Sequence, residues 1–219
     1  IDLVVELIGG TTFARTVVLG ALAAGKNVVT ANKALMATHG QEVMDAAAAA
    51  GKEIAFEASV GGGIPIIDPL KHSLIANEIT SVMGIVNGTT NYMLTRMADD
   101  AMDYDEALRE AQAAGFAEAD PSADVDGFDA AAKIAILASI AFNSRVVMDD
   151  VYTSGITSIS PVDLEAARDM GYVVKLLAIA HRRPEGIDVR VHPTMIPDTH
   201  QLATVNGVMN AIYVVGDAV

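Results

Sequence analysis

At 219 residues the chain is long enough to bury a substantial core in one large or two modest domains, and 52% hydrophobic against 19% charged residues excludes a disordered polypeptide. A net charge of −14 offers no basic surface for nucleic acid or an anionic membrane, and the absence of cysteine removes disulfides, thiolate catalysis and Cys-ligated metals. That usage fits a reducing cytoplasm; no apolar run of roughly 18 residues reads as a membrane span, and no basic segment ahead of an apolar one reads as a signal peptide.

The first third alternates strands and helices. Leu3–Ile8 reads as a buried strand, Phe13–Ala24 as a helix ended by Gly25, and Asn27–Thr30 as a short strand. Lys33–Ala50 is an Ala-rich helix ended by Gly51, and Glu53–Glu57 is a further strand. Helix-ending glycines followed at once by β-branched runs punctuate βαβ units. The expected architecture is α/β, the second half of a Rossmann-type doubly wound sheet, in which ligands lie beyond the carboxyl ends of the strands. Pro65 then opens a helix running to about Ala76, a good place for proline in a first turn.

The remainder mixes its elements. Ile79–Val86 is a strand, while Thr89–Ala98, Tyr104–Ala114, Asp126–Phe142 and Pro161–Met170 are helices. Three strands follow near Val173–His181, Ile187–Met195 and Val208–Val215. This order predicts an α+β domain whose sheet is covered on one face by helices. The expected division is residues 1–70 and 71–219, with the boundary inside the helix that begins at Pro65. Strand-like segments at both ends have no visible cap or cover, so the expectation is an internal piece of a longer protein.

The chemistry concentrates in Gly115–Lys133. Glu118, Asp120, Asp124, Asp126 and Asp129 occupy a loop and a helix start, and Lys133 is the first cation after them. Asp129 and Lys133 are i and i+4, which puts them on one helix face within contact range. A lysine held among carboxylates and partly desolvated can have its proton affinity set for transfer. The bland alternative is a solvated acidic loop with one surface ion pair. A calcium loop is excluded, because the closing bidentate Glu position would be Lys133.

Other segments carry weaker signals. Lys33 follows a strand end at Thr30-Ala31-Asn32, where a parallel sheet delivers residues to its ligand crevice, and a first-turn lysine is mildly unfavourable toward the helix dipole. Gly61-Gly62-Gly63 lacks the spacing of a phosphate loop and reads as a backbone curl in which carbonyls converge. Asn87-Gly88-Thr89-Thr90-Asn91 joins a strand to a helix, with Thr89 or Thr90 as the expected N-cap. The five histidines show no metal-ligand spacing, and the ten methionines read as core filler.

Four blocks in this order resemble the homoserine dehydrogenase family over almost the whole chain. They are Val28–Leu35, Phe56–Pro65, Gly84–Tyr92, and Gly115-Phe116, Asp120-Pro121, Asp124–Asp129 with Lys133. The resemblance implies an NAD(P)-dependent interconversion of homoserine and aspartate semialdehyde, in the biosynthesis of threonine and methionine. It assigns proton transfer to Lys133 with Lys33 assisting, and the substrate's ammonium end to Glu118 and Asp129. Asp124 is expected to orient Lys133, while Gly88 and Thr89 border the substrate. Lys33, Asn32 and Gly115 are expected at the cofactor, NADP or NAD. Glu57 with the carbonyls of Val60, Gly62 and Ile64 is expected to hold a monovalent cation, sodium. The family's Gly-x-Gly-x-x-Gly turn is missing from these residues, so this stretch alone is expected to bind little cofactor and to be inactive. The other partner expected is a second copy, in a homodimer or homotetramer formed through the C-terminal sheet. The alternative is a non-catalytic fragment serving only as substrate-domain and oligomerisation core.

Overall fold

The computed structural model describes residues 1–218; Val219 lies outside the described residues. Two sheets organise the chain. The first has three parallel strands in the order β1 (Leu3–Glu6), β2 (Asn27–Thr30) and β3 (Ile54–Ala55). Helix α1 (Thr12–Ala23) connects β1 to β2, and α2 (Lys33–Ala50) connects β2 to β3. These βαβ units are the half of a doubly wound sheet that the alternating pattern predicts. Strand β1 ends two residues early because the Glu6 carboxylate accepts the Ile8 and Gly9 N–H groups and folds the chain into a turn. Asn32 caps α2 by accepting from the Leu35 N–H, and Gly51 ends it at a φ of 59°, which favours glycine.

The second sheet has five strands: β4 (Ile79–Ile85), β5 (Tyr152–Thr153), β6 (Tyr172–Arg183), β7 (Gly186–Pro197) and β8 (Ala211–Gly216). Their order across the sheet is β5-β7-β6-β4-β8; β5 pairs parallel to β7, and the other pairings are antiparallel. One face packs on α3 (Gly88–Asp100), α6 (Phe128–Ala141) and α7 (Pro161–Asp169), with α4 (Tyr104–Ala113) and the single-turn α5 (Ser122–Val125) outside α3 and α6. Helix α6 is apolar nearly all round and forms the centre of the core, burying Ala131, Ile134, Ala135, Leu137 and Ala138. Each such leucine or isoleucine contributes about 1.5–3 kcal/mol by leaving water. Leu137→Ala, at full burial, therefore costs about 2–5 kcal/mol. The opposite face carries only a smaller cluster around Leu177, Ile179 and Ile196, partly roofed by a 3₁₀ turn at Gln201–Thr204. No helix among the described residues is long and apolar enough to cross a membrane.

Several elements depart from expectation for identifiable reasons. The helix expected from Pro65 to Ala76 shrinks to a few residues with a π-helical stretch at Pro69–Ser73. Its start is set by the Glu57 carboxylate, which accepts the N–H groups of Ile66, Ile67 and Asp68 at 2.6, 2.8 and 2.8 Å. That same Glu57 opens a 3₁₀ turn, so β3 is shorter than Glu53–Glu57. The N-cap of α3 is Asn87, not Thr89 or Thr90: its side-chain oxygen accepts from the Thr90 N–H. Strand β8 begins at Ala211 instead of Val208, because residues 205–210 complete the crossover from β7 and turn at Gly207, φ 62°.

Candidate active site at the facing ends of two helices

Helices α2 and α6 pack together and bring Lys33, at the first position of α2, to Asp129, in the first turn of α6. Lys33 Nζ lies 2.7 Å from Asp129 Oδ1, and Lys133 Nζ lies 2.6 Å from Asp129 Oδ2. One carboxylate thus bridges two ammonium groups from the two halves of the chain. Asp129 is only 7% exposed, Lys133 16% and Lys33 45%, so the cluster is graded from core to solvent. Burial alone would raise the Asp129 carboxyl; the Lys133 charge and the hydrogen bonds from Asn87, Lys133 and Lys33 outweigh it and hold the group below the usual carboxylate range. Asp129 is therefore ionised at neutral pH.

The Lys133 ammonium has three N–H donors. One goes to Asp129 and one to the Val86 carbonyl at 2.7 Å, which leaves the third for a ligand. Lys133 is in ion-pair reach of Asp129, as its i,i+4 spacing suggests, but Asp124 reaches it only indirectly. Asn87 Nδ2 donates to Asp124 Oδ1 at 2.7 Å and to Asp129 Oδ2 at 3.0 Å, tying the two acids together. Thr89 Oγ1 completes the tie, 2.6 Å from the Phe116 carbonyl and 3.0 Å from Asp124 Oδ2. The loop holding these acids is fixed from behind by Gly155. A Cβ there would lie 2.0 Å from the Val125 carbonyl oxygen, so only glycine lets the Ile156 N–H reach that carbonyl at 2.8 Å.

The remaining expected residues fall in different places. Asp129 receives Lys133 and Asn87 on Oδ2 and Lys33 on Oδ1. Glu118 is exposed; the contact at that residue is through its backbone carbonyl, which accepts from Gln112. Gly115 is exposed in a turn at φ 77° with open space around it. Asn32 is buried: besides capping α2, its Nδ2 donates to the Gly10 carbonyl at 2.7 Å. Gly88 packs so closely on the 205–209 loop that a Cβ would lie 2.9 Å from the Val208 carbonyl oxygen. Among the described residues no three His, Cys, Asp or Glu side chains gather as a metal site. Glu57 spends its carboxylate on three backbone N–H groups, while Val60, Gly62 and Ile64 follow it in a loop with positive φ at Gly61 and Gly63.

Two residues that the sequence reading passed over prove central. Asn87 is the connector just described, and an asparagine immediately before a helix is the cap signal that could have drawn attention to it. Glu6 is 1% exposed and accepts from the Thr30 hydroxyl at 2.6 Å as well as from Ile8 and Gly9. Burial raises its carboxyl, but those hydrogen bonds, with a further contribution from Asn32, lower it more. An acid inside an apolar strand was the available signal. It fixes the turn at the carboxyl end of β1, where a parallel sheet presents its backbone to ligands.

Comparison with known proteins places this arrangement. The family described as homoserine dehydrogenase matches residues 65–219, and its NAD binding domain matches residues 1–57. The chain belongs to the homoserine dehydrogenase family. It is 55% identical to the homoserine dehydrogenase of Corynebacterium glutamicum, across 100% of this chain and 50% of that one, and 54% identical to that of Synechocystis, across 99% and 51%. The structure of a homoserine dehydrogenase from Thiobacillus denitrificans superposes with a TM-score of 0.98 at 50% identity, covering 100% of this chain and 51% of that one. A hyperthermophilic archaeal homoserine dehydrogenase in complex with NADPH superposes at 0.84 with 28% identity, covering 99% and 62%. The chain spans about half the length of the curated relatives it matches.

Proposed function

We propose that this chain supplies the substrate side of a homoserine dehydrogenase, with Lys133 as the proton-transferring group. The observation that carries the reading is the Asp129 carboxylate shared by Lys133 and Lys33 at 2.6 and 2.7 Å. A nicotinamide cofactor, NADP or NAD, would supply the hydride exchange between the carbinol carbon of homoserine and the semialdehyde carbonyl. In the reducing direction the new C–H bond leaves an alkoxide, and Lys133 gives that oxygen a proton from its third N–H. In the oxidising direction neutral Lys133 receives the hydroxyl proton. Asp129 holds the ammonium in position, and Lys33, more exposed, faces the cofactor side and relays protons to solvent. Gly88 and Thr89 border the substrate, and exposed Glu118 is the acid left free for its ammonium end.

The residues fit a nicotinamide cofactor on one local observation. Gly9 and Gly10 stand at φ 80° and 68° beyond β1, with open space around them and their turn fixed by Glu6. Such bare backbone allows close approach of a planar ring. The carbonyls of Val60, Gly62 and Ile64 would hold a monovalent cation, hard oxygen donors suiting sodium, and its contribution would be to brace the joint between the two sheets. Oligomerisation through the thinly covered face of the five-stranded sheet, where Val173, Met83 and Tyr213 are only partly buried, would cover that face; light scattering at tens of micromolar reads it directly, and a monomer contradicts it. For the catalytic assignment, Lys133→Ala in the full-length enzyme is expected to lower turnover roughly 10²–10⁴-fold, the usual worth of a positioned acid or base. NADPH affinity should be unchanged. Turnover within a few-fold of wild type removes the assignment.

A further inference from the structure

Helices α2 and α6 are joined at one end by the Lys33–Asp129 ion pair, but further along they part around a cavity of about 760 Å³. Met36, Phe56, Leu70, Ile136, Ile140 and Phe142 supply its apolar wall. That volume is in the range of small-molecule sites, which combine an apolar lining with a few placed polar groups. The charges around it are unusual for this chain. Acidic residues outnumber Lys and Arg 28 to 14 overall, yet the charged residues lining the cavity are Lys71, Arg145 and Arg182 against Glu78 alone.

Among the described residues none of these three cations forms an ion pair. Lys71 lies over the Phe56 ring at 5.5 Å; Arg182 lies over the Phe142 ring at 5.3 Å and donates to the Phe142 carbonyl. Arg145 is exposed at the rim. In so acidic a protein, unpaired cations around an apolar hollow are a site whose complement carries the opposite charge. We propose that this cleft is a second ligand site, taking a small organic carboxylate with an apolar body. The body would lie against the two rings, and the carboxylate would meet Arg145 and Lys71 at the mouth.

Occupation has a route to the catalytic end. Helix α2 departs from helical geometry at His39, φ −122° and ψ 15°, between Thr38 and Gly40, both of which line the cavity. The kink separates the turns carrying Lys33 from the rest of α2, while the far wall belongs to α6, the helix of Asp129 and Lys133. A ligand wedged at the kink therefore acts on the gap that the Lys33–Asp129 pair closes. This kinetic consequence rests on the homoserine dehydrogenase reading; the binding site does not.

The test uses the full-length protein and 8-anilinonaphthalene-1-sulfonate, an amphipathic anion, with octanoate as competitor. Saturable fluorescence enhancement that octanoate reverses is expected. Neutralising the mouth with Lys71→Gln and Arg145→Gln should weaken binding about tenfold, the worth of one charge-assisted hydrogen bond. Gly40→Phe should abolish it by filling the cleft; an added Cβ there meets only the flexible Met36 methyl, at 3.8 Å, so the fold should accept it. Octanoate should shift the homoserine KM of the wild type and not of the Lys71→Gln/Arg145→Gln protein, whose basal turnover stays normal. Absence of saturable binding, or binding indifferent to Gly40→Phe, overturns the site. Fill-sensitive binding with every kinetic constant unmoved overturns the coupling. A protein that binds the probe but oxidises no homoserine upholds the site while the proposed function fails.

Discussion

Two lysines of this protein, Lys133 partly buried and Lys175 fully buried, sit in opposite electrostatic surroundings. Lys133 has the ionised Asp129 at 2.6 Å, and that acid is shared with Lys33. Lys175, on β6 and 3% exposed, has only neutral acceptors: the Val205 carbonyl at 2.7 Å, Asn206 Oδ1 at 2.8 Å and Asn91 Oδ1 at 3.2 Å. Burial pushes the Lys175 ammonium down to about 8, with Asp99 opposing only weakly. The contrast separates two uses of a cation withdrawn from bulk solvent. Around Asp129 both ammonium groups meet an ionised partner, and of the three Lys133 N–H donors two have acceptors among the described residues, an arrangement that suits the proposed proton transfer. Around Lys175 every donor is spent on the protein, and the cation ties the 205–209 loop to the start of α3.

The contrast breaks most visibly at Asp129. Asp129→Asn leaves two lysines facing each other without their shared counter-charge, and turnover of the full-length enzyme should fall roughly 10²-fold, the low end for losing a positioned acid or base. Removing the partner of a buried pair should also cost about 3 kcal/mol in denaturant titrations. Because the Asp129 carboxyl is depressed on folding, its contribution is present above the unfolded carboxylate range and fades as pH falls below it. A variant with unchanged stability at pH 7 would mean the bridge is incidental. Lys33→Ala removes the exposed member only, and about tenfold in turnover is expected. A loss equal to that of Lys133→Ala would reverse the ranking of the two lysines.

Which parts of this site the sequence disclosed follows from distance along the chain. The Asp129–Lys133 pair is local, four residues apart on one helix, and its geometry follows from helical periodicity alone. Helix α2 was equally legible: Asn32 and Gly51 carry its end signals in their own chemistry. Lys33 meeting Asp129 depends on how two helices 96 residues apart pack, and only the family resemblance placed them together. The helix after Pro65 failed for the same reason in reverse. Its start is decided by Glu57, nine residues before the first N–H it captures, and proline's preference for a first turn is too weak to compete with three hydrogen bonds to a carboxylate. Asn87 and Glu6 were overlooked because each was read as part of a strand or a loop, when their side chains connect separate elements.

Smaller effects sharpen the second half of the contrast. Gly88→Ala places a methyl 2.9 Å from the Val208 carbonyl, so the loop that Lys175 fastens must move away from the substrate border. Homoserine KM should rise by about threefold, with kcat nearly unchanged, since ground-state and transition-state binding suffer alike. A fall in kcat alone would detach the loop from the binding border. Lys175→Met tests the pin itself through pH. Lys175 titrates near 8 when folded and near 10.5 when unfolded, so between those values the unfolded chain binds more protons. Wild-type stability should therefore gain on the variant as pH rises from about 8 to about 10.5, with the burden of the buried charge fully present below about 8. A stability difference flat across that window would show that Lys175 is not held as a desolvated cation.

The central claim, that the Lys133 amine itself moves the proton, is tested most directly by chemical rescue. Full-length Lys133→Ala would be assayed for semialdehyde reduction with increasing methylammonium, which fits the space left by the deleted side chain. Turnover is expected to be depressed roughly 10²–10⁴-fold without the amine and to rise with its concentration, because the lost acid is being replaced. Near wild-type turnover with no amine present would contradict the account.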